Sequence, residues 1–227
     1  MKENKKTKIY ANYFTKTDNL KIAGIIILIA SGVEFFFGWS YIGYIISSVG
    51  LIAGIVLFIV GSSGRISEAE ISEYISKHTD TACTIDAEEK ALAKRVRKTP
   101  SALIAEGFVF SSDVMIRKTK KGSLNSSIYS KAVIYPLDTA LLIRRRTLLI
   151  ADEKWEDASV EIAYSDIARV EFSEEIVNIP FGKKLFRAKN DNIIIITKDG
   201  GSIAVTAQDN VEVDTFIKEI TAIISQS

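Results

Sequence analysis

The residues of this chain that could do chemistry are few and far apart. It has one histidine, His78, and one cysteine, Cys83, so no disulfide pair, Cys/His metal cluster or Cys-His-Asn constellation can be assembled. The sequence contains no GxxxxGK[ST], HExxH, GxSxG or GxGxxG, and a single imidazole removes most general-base schemes. Carboxylates are plentiful but scattered among lysines. We therefore expect no catalytic, cofactor-binding or metal-ligating residue, and read the chain as non-catalytic.

What remains is charge that could bind. Arg144, Arg145 and Arg146 interrupt two apolar runs, so they either sit in a tight loop or alternate across a strand; arginine's forked donors suit phosphate or carboxylate, and the same three could instead blunt an edge strand. Between Ser173 and Asn192, read as a long connection, Phe181, Lys183, Lys184, Leu185, Phe186, Arg187 and Lys189 interleave basic with apolar residues, the composition that an anionic membrane surface attracts. The candidate lipid or partner contacts are thus Arg144, Arg145, Arg146, Phe181, Lys183, Lys184, Phe186 and Arg187. Arg117, Lys118, Lys120 and Lys121, ahead of Gly122, read as a solvated hairpin tip. With 29 basic and 28 acidic residues in 227, the chain lacks the basic excess of a nucleic-acid binder.

The strongest feature of the sequence is the run from Ile22 to Val60, in which Glu34 is the only charge. A bilayer span needs roughly 17–25 apolar residues, so the run predicts two spans joined near Gly38–Tyr41. Trp39, Tyr41 and Tyr44 at the turn suit a membrane interface. Lys2, Lys5, Lys6, Lys8, Lys16 and Lys21 precede the spans, the turn is uncharged and Arg65 follows, which by the positive-inside rule puts both termini in the cytoplasm. A cleaved signal peptide, the competing reading, lacks a small-x-small site and is followed at once by the second span. Gly43, Ser47, Gly50 and Gly54 fall on one helical face, small enough for close approach either to the first span or to a second copy. Glu34, a few residues from the turn, is within reach of interfacial water.

Beyond Gly61-Ser-Ser-Gly64, Ser67 and Glu70 have capping-box spacing, and Ile71, Tyr74, Ile75 and His78 make one side of a helix. Asp86 to Lys98 reads as a second helix, acids first and bases last, closed by Thr99-Pro100. From Ala102 short runs rich in β-branched and aromatic residues follow one another: Leu103–Phe110, Val114–Lys118, Ile128–Tyr135, Ala140–Ile143, Thr147–Ala151, Ser159–Ala163, Ala168–Phe172, Ile193–Thr197 and Ser202–Thr206. Lys198-Asp-Gly-Gly201 predicts a hairpin turn. Asp209 and Glu212 read as a cap for a helix whose stripe is Val213, Phe216, Ile217, Ile220, Ile223 and Ile224.

This order of elements resembles the pleckstrin-homology-like (PH-like) superfold, in particular its bacterial and GRAM-like branches. The resemblance is carried by Thr147-Leu-Leu-Ile-Ala-Asp152, by Ile162-Ala-Tyr-Ser-Asp-Ile-Ala-Arg-Val-Glu-Phe172, and by the hairpin Ile193–Val205, and it spans residues 102–225. It implies a small antiparallel barrel or sandwich capped by one helix, and it brings over no ligand-binding residue.

The expected organisation is a basic cytoplasmic tail (1–21), a transmembrane helical hairpin (22–61), a helical connector (62–100) and a PH-like β domain with a C-terminal helix (101–227): an α+β protein of the plasma membrane. Its expected role is to recruit a membrane-associated protein, with an exposed sheet edge as one means. Sensing of anionic lipid, service as an accessory subunit of a transport or export complex, and self-association through the hairpin are the alternatives. The bilayer is a partner in every case, and nucleic acid in none.

Overall fold

The computed structural model describes residues 10–15, 19–37, 40–64, 66–85, 89–181 and 184–226. The chain divides into two compact units: Thr15–Ser67, and Glu68–Ser227 together with the residues up to Phe14.

The first unit is a pair of helices, α2 (Asn19–Phe37) and α3 (Tyr41–Ser62). At 1.5 Å per residue they are about 28 and 33 Å long, matched to a hydrocarbon core of about 30 Å, and both are long and apolar enough to cross a membrane. Ser40 caps α3, its Oγ accepting from the Gly43 N–H at 3.0 Å. The small residues let the two backbones meet. A Cβ on Gly24 would lie 2.6 Å from the Phe58 amide nitrogen, and one on Gly54 would meet Leu28 at 2.8 Å. Gly43, Ser47 and Gly54 are buried, and a Cβ on Gly50 would strike Ser31. Gly50 and Gly54 are therefore turned toward α2 of the same chain. Lys21 lies over the Phe58 ring. Gly38 and Trp39 of the turn lie outside the described residues.

Among the described residues, the first element of the second unit is a short helix in the stretch expected to be tail: α1 (Ala11–Thr15), on which Tyr13 and Phe14 are buried. Helix α4 (Glu68–Thr79) buries Ile71, Tyr74 and Ile75. The expected second connector helix is confined to α5 (Lys90–Arg95), because Val96 leaves it to bridge Leu137; Asp86 lies outside the described residues.

A four-stranded antiparallel sheet follows, in the order β1 (Leu103–Phe108), β4 (Ile128–Pro136), β5 (Ala140–Leu149), β6 (Lys154–Ala163). Between β1 and β4 runs a small ribbon, β2 (Ile116–Lys118) with β3 (Leu124–Ser126). A second sheet holds β7 (Ile167–Phe181), β8 (Lys184–Thr197) and β9 (Ser202–Thr206). Among the described residues these sheets are separately hydrogen-bonded, with no strand pairing that closes a barrel. Gly200 (φ +88°) turns β8 into β9, with the Gly201 N–H donating to Asp199 at 3.1 Å.

Alternation along the strands builds the core. Leu103, Ala105, Ala132, Ile134, Leu141 and Ile143 of the first sheet meet Ile167, Val170, Ile193, Ile195 and Val205 of the second. Helix α6 (Val211–Ile224) closes it with Val213, Phe216 and Ile220, each worth about 1.5–3 kcal/mol once buried. Its cap is Asn210, one residue past the expected Asp209; the Asn210 Oδ1 accepts from the Val213 N–H at 2.9 Å.

Two further expectations are corrected. Ala140–Ile143 and Thr147–Leu149 belong to one strand, β5, so of the two expectations for Arg144–Arg146, a tight loop or alternation across a strand, the structure shows the second. The connection Ser173–Asn192 is a two-stranded arm: β9 pairs with β8 only over Asn192–Ile196, and the rest of β7 and β8 runs on as a hairpin. The arm holds its shape because one face has a small core of its own, where Ile179 and Ala188 pack with Ile116, Phe186 and Leu124. Asn190 ties it back, accepting from the Phe110 N–H at 2.8 Å and donating to the Phe110 carbonyl at 2.6 Å.

The helix pair makes a sharp contrast between two glycines. Gly24→Ala drives a Cβ into the Phe58 backbone, whereas Gly32 has nothing within 4 Å of the added atom. Overpacking costs about 1–3 kcal/mol, so Gly24→Ala should lower the thermal midpoint of the detergent-solubilised full chain, and Gly32→Ala should leave it in place.

Candidate functional site

Three arginines in the middle of a strand require partners on both faces of the sheet, since neighbouring side chains point oppositely. Register puts Arg144 opposite Val133 and Ser159, and Arg146 opposite Lys131 and Asp157. Arg145, on the core side, reaches the Ala204 carbonyl from its Nη1 at 3.3 Å. The other face, shared by Arg144, Arg146, Leu142, Val133 and Tyr135, lies under the connector.

Arg146 makes the fullest set of contacts. Its Nε and Nη2 donate to the two carboxylate oxygens of Asp157 at 2.6 and 2.7 Å, its Nη1 donates to the His78 carbonyl at 2.9 Å, and its guanidinium lies 5.6 Å from the Trp155 ring centre. From there an aromatic ladder runs through Trp155, His78, Tyr74 and Tyr10, with centroid spacings of 5.4, 4.2 and 4.2 Å. His78 is a rung of this ladder, its Nδ1 2.7 Å from the Tyr74 carbonyl. Arg144 forks onto Glu89 at 2.5 and 2.8 Å and donates to the Thr84 carbonyl at 2.8 Å. The Tyr135 hydroxyl donates to the Cys83 carbonyl at 3.0 Å. Together these bonds stitch the segment from His78 to Glu89 onto β4 and β5.

Between that segment and β6 is a cavity of about 330 Å³ lined by Thr81, Cys83, Thr84, the three arginines, Asp157 and Ser159. Cys83 has a left-handed backbone (φ +68°), and burial raises its thiol pKa, opposed by a backbone hydrogen bond and the nearby cations. A raised pKa leaves little thiolate, the opposite of an activated nucleophile. Among the described residues no group of His, Cys, Asp and Glu is placed to hold a metal ion.

The arginines that sequence singled out thus engage their own chain. Of the other candidates, Phe186 is half-buried in the arm's small core and Arg187 is exposed on its opposite face. Phe181 and Lys184 are paired to each other at the end of β7 and the start of β8; Lys183 lies outside the described residues.

One sheet edge carries none of those candidates. Among the described residues, strand β6 pairs with β5 along one side only. Every residue from Lys154 to Glu161 is exposed, including Trp155 at 49% and Val160 at 41%. Sequence reasoning shortened this strand to Ser159–Ala163, because Lys154, Glu156 and Asp157 look like loop. The legible signal is the two-residue alternation of polar Asp157, Ser159 and Glu161 with apolar Ala158, Val160 and Ile162. Comparison with family models, with curated proteins and with solved structures gave no match.

The Arg146 hydrogen bonds hold the Asp157 carboxyl below its ordinary value of 3.8, desolvation opposing. A carboxylate depressed in the folded state stabilises above its unfolded pKa and loses that contribution as the pH falls through its folded value. Arg146→Lys keeps the charge but not the fork. It should cost about 2 kcal/mol at neutral pH, read as a lower denaturation midpoint, and the gap to the wild type should narrow once the pH drops below the ordinary carboxylate value.

Proposed function

We propose that this chain is a membrane-anchored, non-catalytic binding module: α2 and α3 cross the plasma membrane as a hairpin with both termini cytoplasmic, and the second unit, a PH-like domain, recruits a membrane-associated protein. The helices' length and hydropathy support the anchor, and the lysines before and the uncharged turn between them support the orientation. The PH-like reading is supported by a four-stranded antiparallel sheet, a three-stranded sheet and a C-terminal helix around one core.

The observation that carries the binding role is the free edge of β6. A strand edge offers unpaired N–H and C=O groups that an extended segment can complete, and proteins without such a partner usually cover, shorten or charge it. Here two of the strand's acids are already engaged: Asp157 with Arg146, and Glu161 with Arg95 at 2.6 Å. They leave the backbone edge open beside Trp155 and Val160. Tethering raises the local concentration of this edge for membrane-bound segments without any new contact.

A pair of prolines tests the role. Adjacent residues of a strand point their N–H groups in opposite directions, so of Ala158→Pro and Ser159→Pro one removes an outward N–H and the other breaks the β5 ladder. After crosslinking in native membranes, the variant that keeps the wild-type melting temperature should lose the co-purifying protein. Full recovery of that protein with a folded outward proline would refute binding at β6.

A further inference from the structure

The β2–β3 ribbon is held on two faces and at its tip. On one face Arg117 donates to the Tyr13 carbonyl and lies 4.7 Å from the Tyr13 ring centre, and Asn125 Nδ2 donates to the Tyr13 hydroxyl at 3.0 Å. On the other, Ile116 and Leu124 pack with Ile179, Phe186 and Ala188 of the arm. At the tip the Lys120 N–H donates to the Glu68 carboxylate at 2.9 Å. Tyr13 and Glu68 flank the two points where the chain passes to the apolar helices, which begin at Asn19 and end at Ser62. Four residues separate Phe14 from Asn19 and five separate Ser62 from Glu68. On the membrane-anchor reading, those short connections tether the ribbon, and the arm packed on it, to the bilayer.

What these elements present suits that surface. Lys118, Lys120 and Lys121 are exposed, and among the described residues none of them has an ion-pair partner. On the arm's outer face Leu185 is 73% exposed, opposite Pro180. Arg187, exposed opposite Asn178, lies beside it on that face. Cations draw a domain to anionic headgroups, and an exposed leucine gains by entering the acyl boundary.

We propose that the β2–β3 turn and the outer face of the β7–β8 arm dock on the anionic phospholipid surface of the bilayer that holds α2 and α3. Lys118, Lys120, Lys121 and Arg187 meet headgroup phosphates, and Leu185 inserts below them. This proposal rests on the membrane-anchor reading above and adds a lipid contact distinct from the β6 edge, so one domain engages lipid and protein on separate surfaces.

The test uses the full chain carrying Cys83→Ser and Leu185→Cys, labelled at the new thiol with an environment-sensitive fluorophore. It is reconstituted into nanodiscs of phosphatidylcholine alone or with phosphatidylglycerol, with nitroxide-labelled lipid as quencher. A parallel alkaline extraction of native membranes checks the anchor. The expected result is a chain that resists extraction and a label quenched in the anionic discs. That quenching should fall about twofold or more in high salt and in the Lys118→Glu, Lys120→Glu, Lys121→Glu triple variant. A chain that resists extraction but whose label is unquenched, or is quenched equally in both discs and in the triple variant, overturns the docking and leaves the anchor standing. A chain released by alkali overturns the anchor and the docking together. Ile176→Cys, on the same arm face at a position 61% exposed, gives a second label if Leu185→Cys fails to fold.

Discussion

A guanidinium in the middle of a β-strand must be met with acceptors, and the arrangement of the β domain follows from how Arg146 meets them. It takes both oxygens of Asp157 from the neighbouring strand and a carbonyl from the end of α4, and it rests against Trp155. The Arg146 side chain is 22% exposed, and His78 and Asp157 together supply the acceptors that its donors turned from water would otherwise lack. Arg144 repeats the device one step along, with Glu89 and the Thr84 carbonyl. The connector is thereby part of the domain rather than a leash to it, in agreement with the division of the chain at Ser67.

This use of charge also decides which surfaces are free. Arg146 and Arg95 draw Asp157 and Glu161 of β6 toward its own sheet and connector, while Lys154 and Glu156 stay exposed near the start of the strand. The aromatic ladder from Trp155 to Tyr10 fixes the start of β6 by packing. On the opposite side of the unit's chemistry, the arm spends one face on a small apolar core and leaves the other to solvent. A rigid edge and a stiff arm are better binding elements than loops, since less ordering entropy is lost when they engage.

Much of this was legible from residue types alone. Two apolar helices follow from hydrocarbon thickness, the β8–β9 turn from Asp199-Gly-Gly201, and the C-terminal helix from its stripe. The arginine triplet left a loop and a strand both open, because charges between apolar runs suit either, and nothing in the sequence shows that Asp157, the His78 carbonyl and Glu89 will converge on them. The arm was hidden for a related reason: its strands alternate Ile179, Val177, Phe186 and Ala188 against a face of mixed polarity, and their core partners lie far away in the chain, on β2 and β3. Helix α1 was masked by the lysines around it, and its burial depends on a tertiary seat at Arg117 and Asn125. Whether two sheets close into a barrel or pack as a pair is likewise a matter of sheet-edge geometry, which strand order does not determine.

The central claim is that a membrane-tethered domain offers the β6 edge to a protein. The most direct measurement places a photo-crosslinking amino acid at Val160 in the full chain, illuminates intact membranes and identifies the adducts. The account predicts one predominant protein adduct at Val160, absent when the crosslinker is moved to the exposed Glu212 on α6. Adducts to lipid alone, to copies of the same chain alone, or to the same proteins at both positions would contradict it.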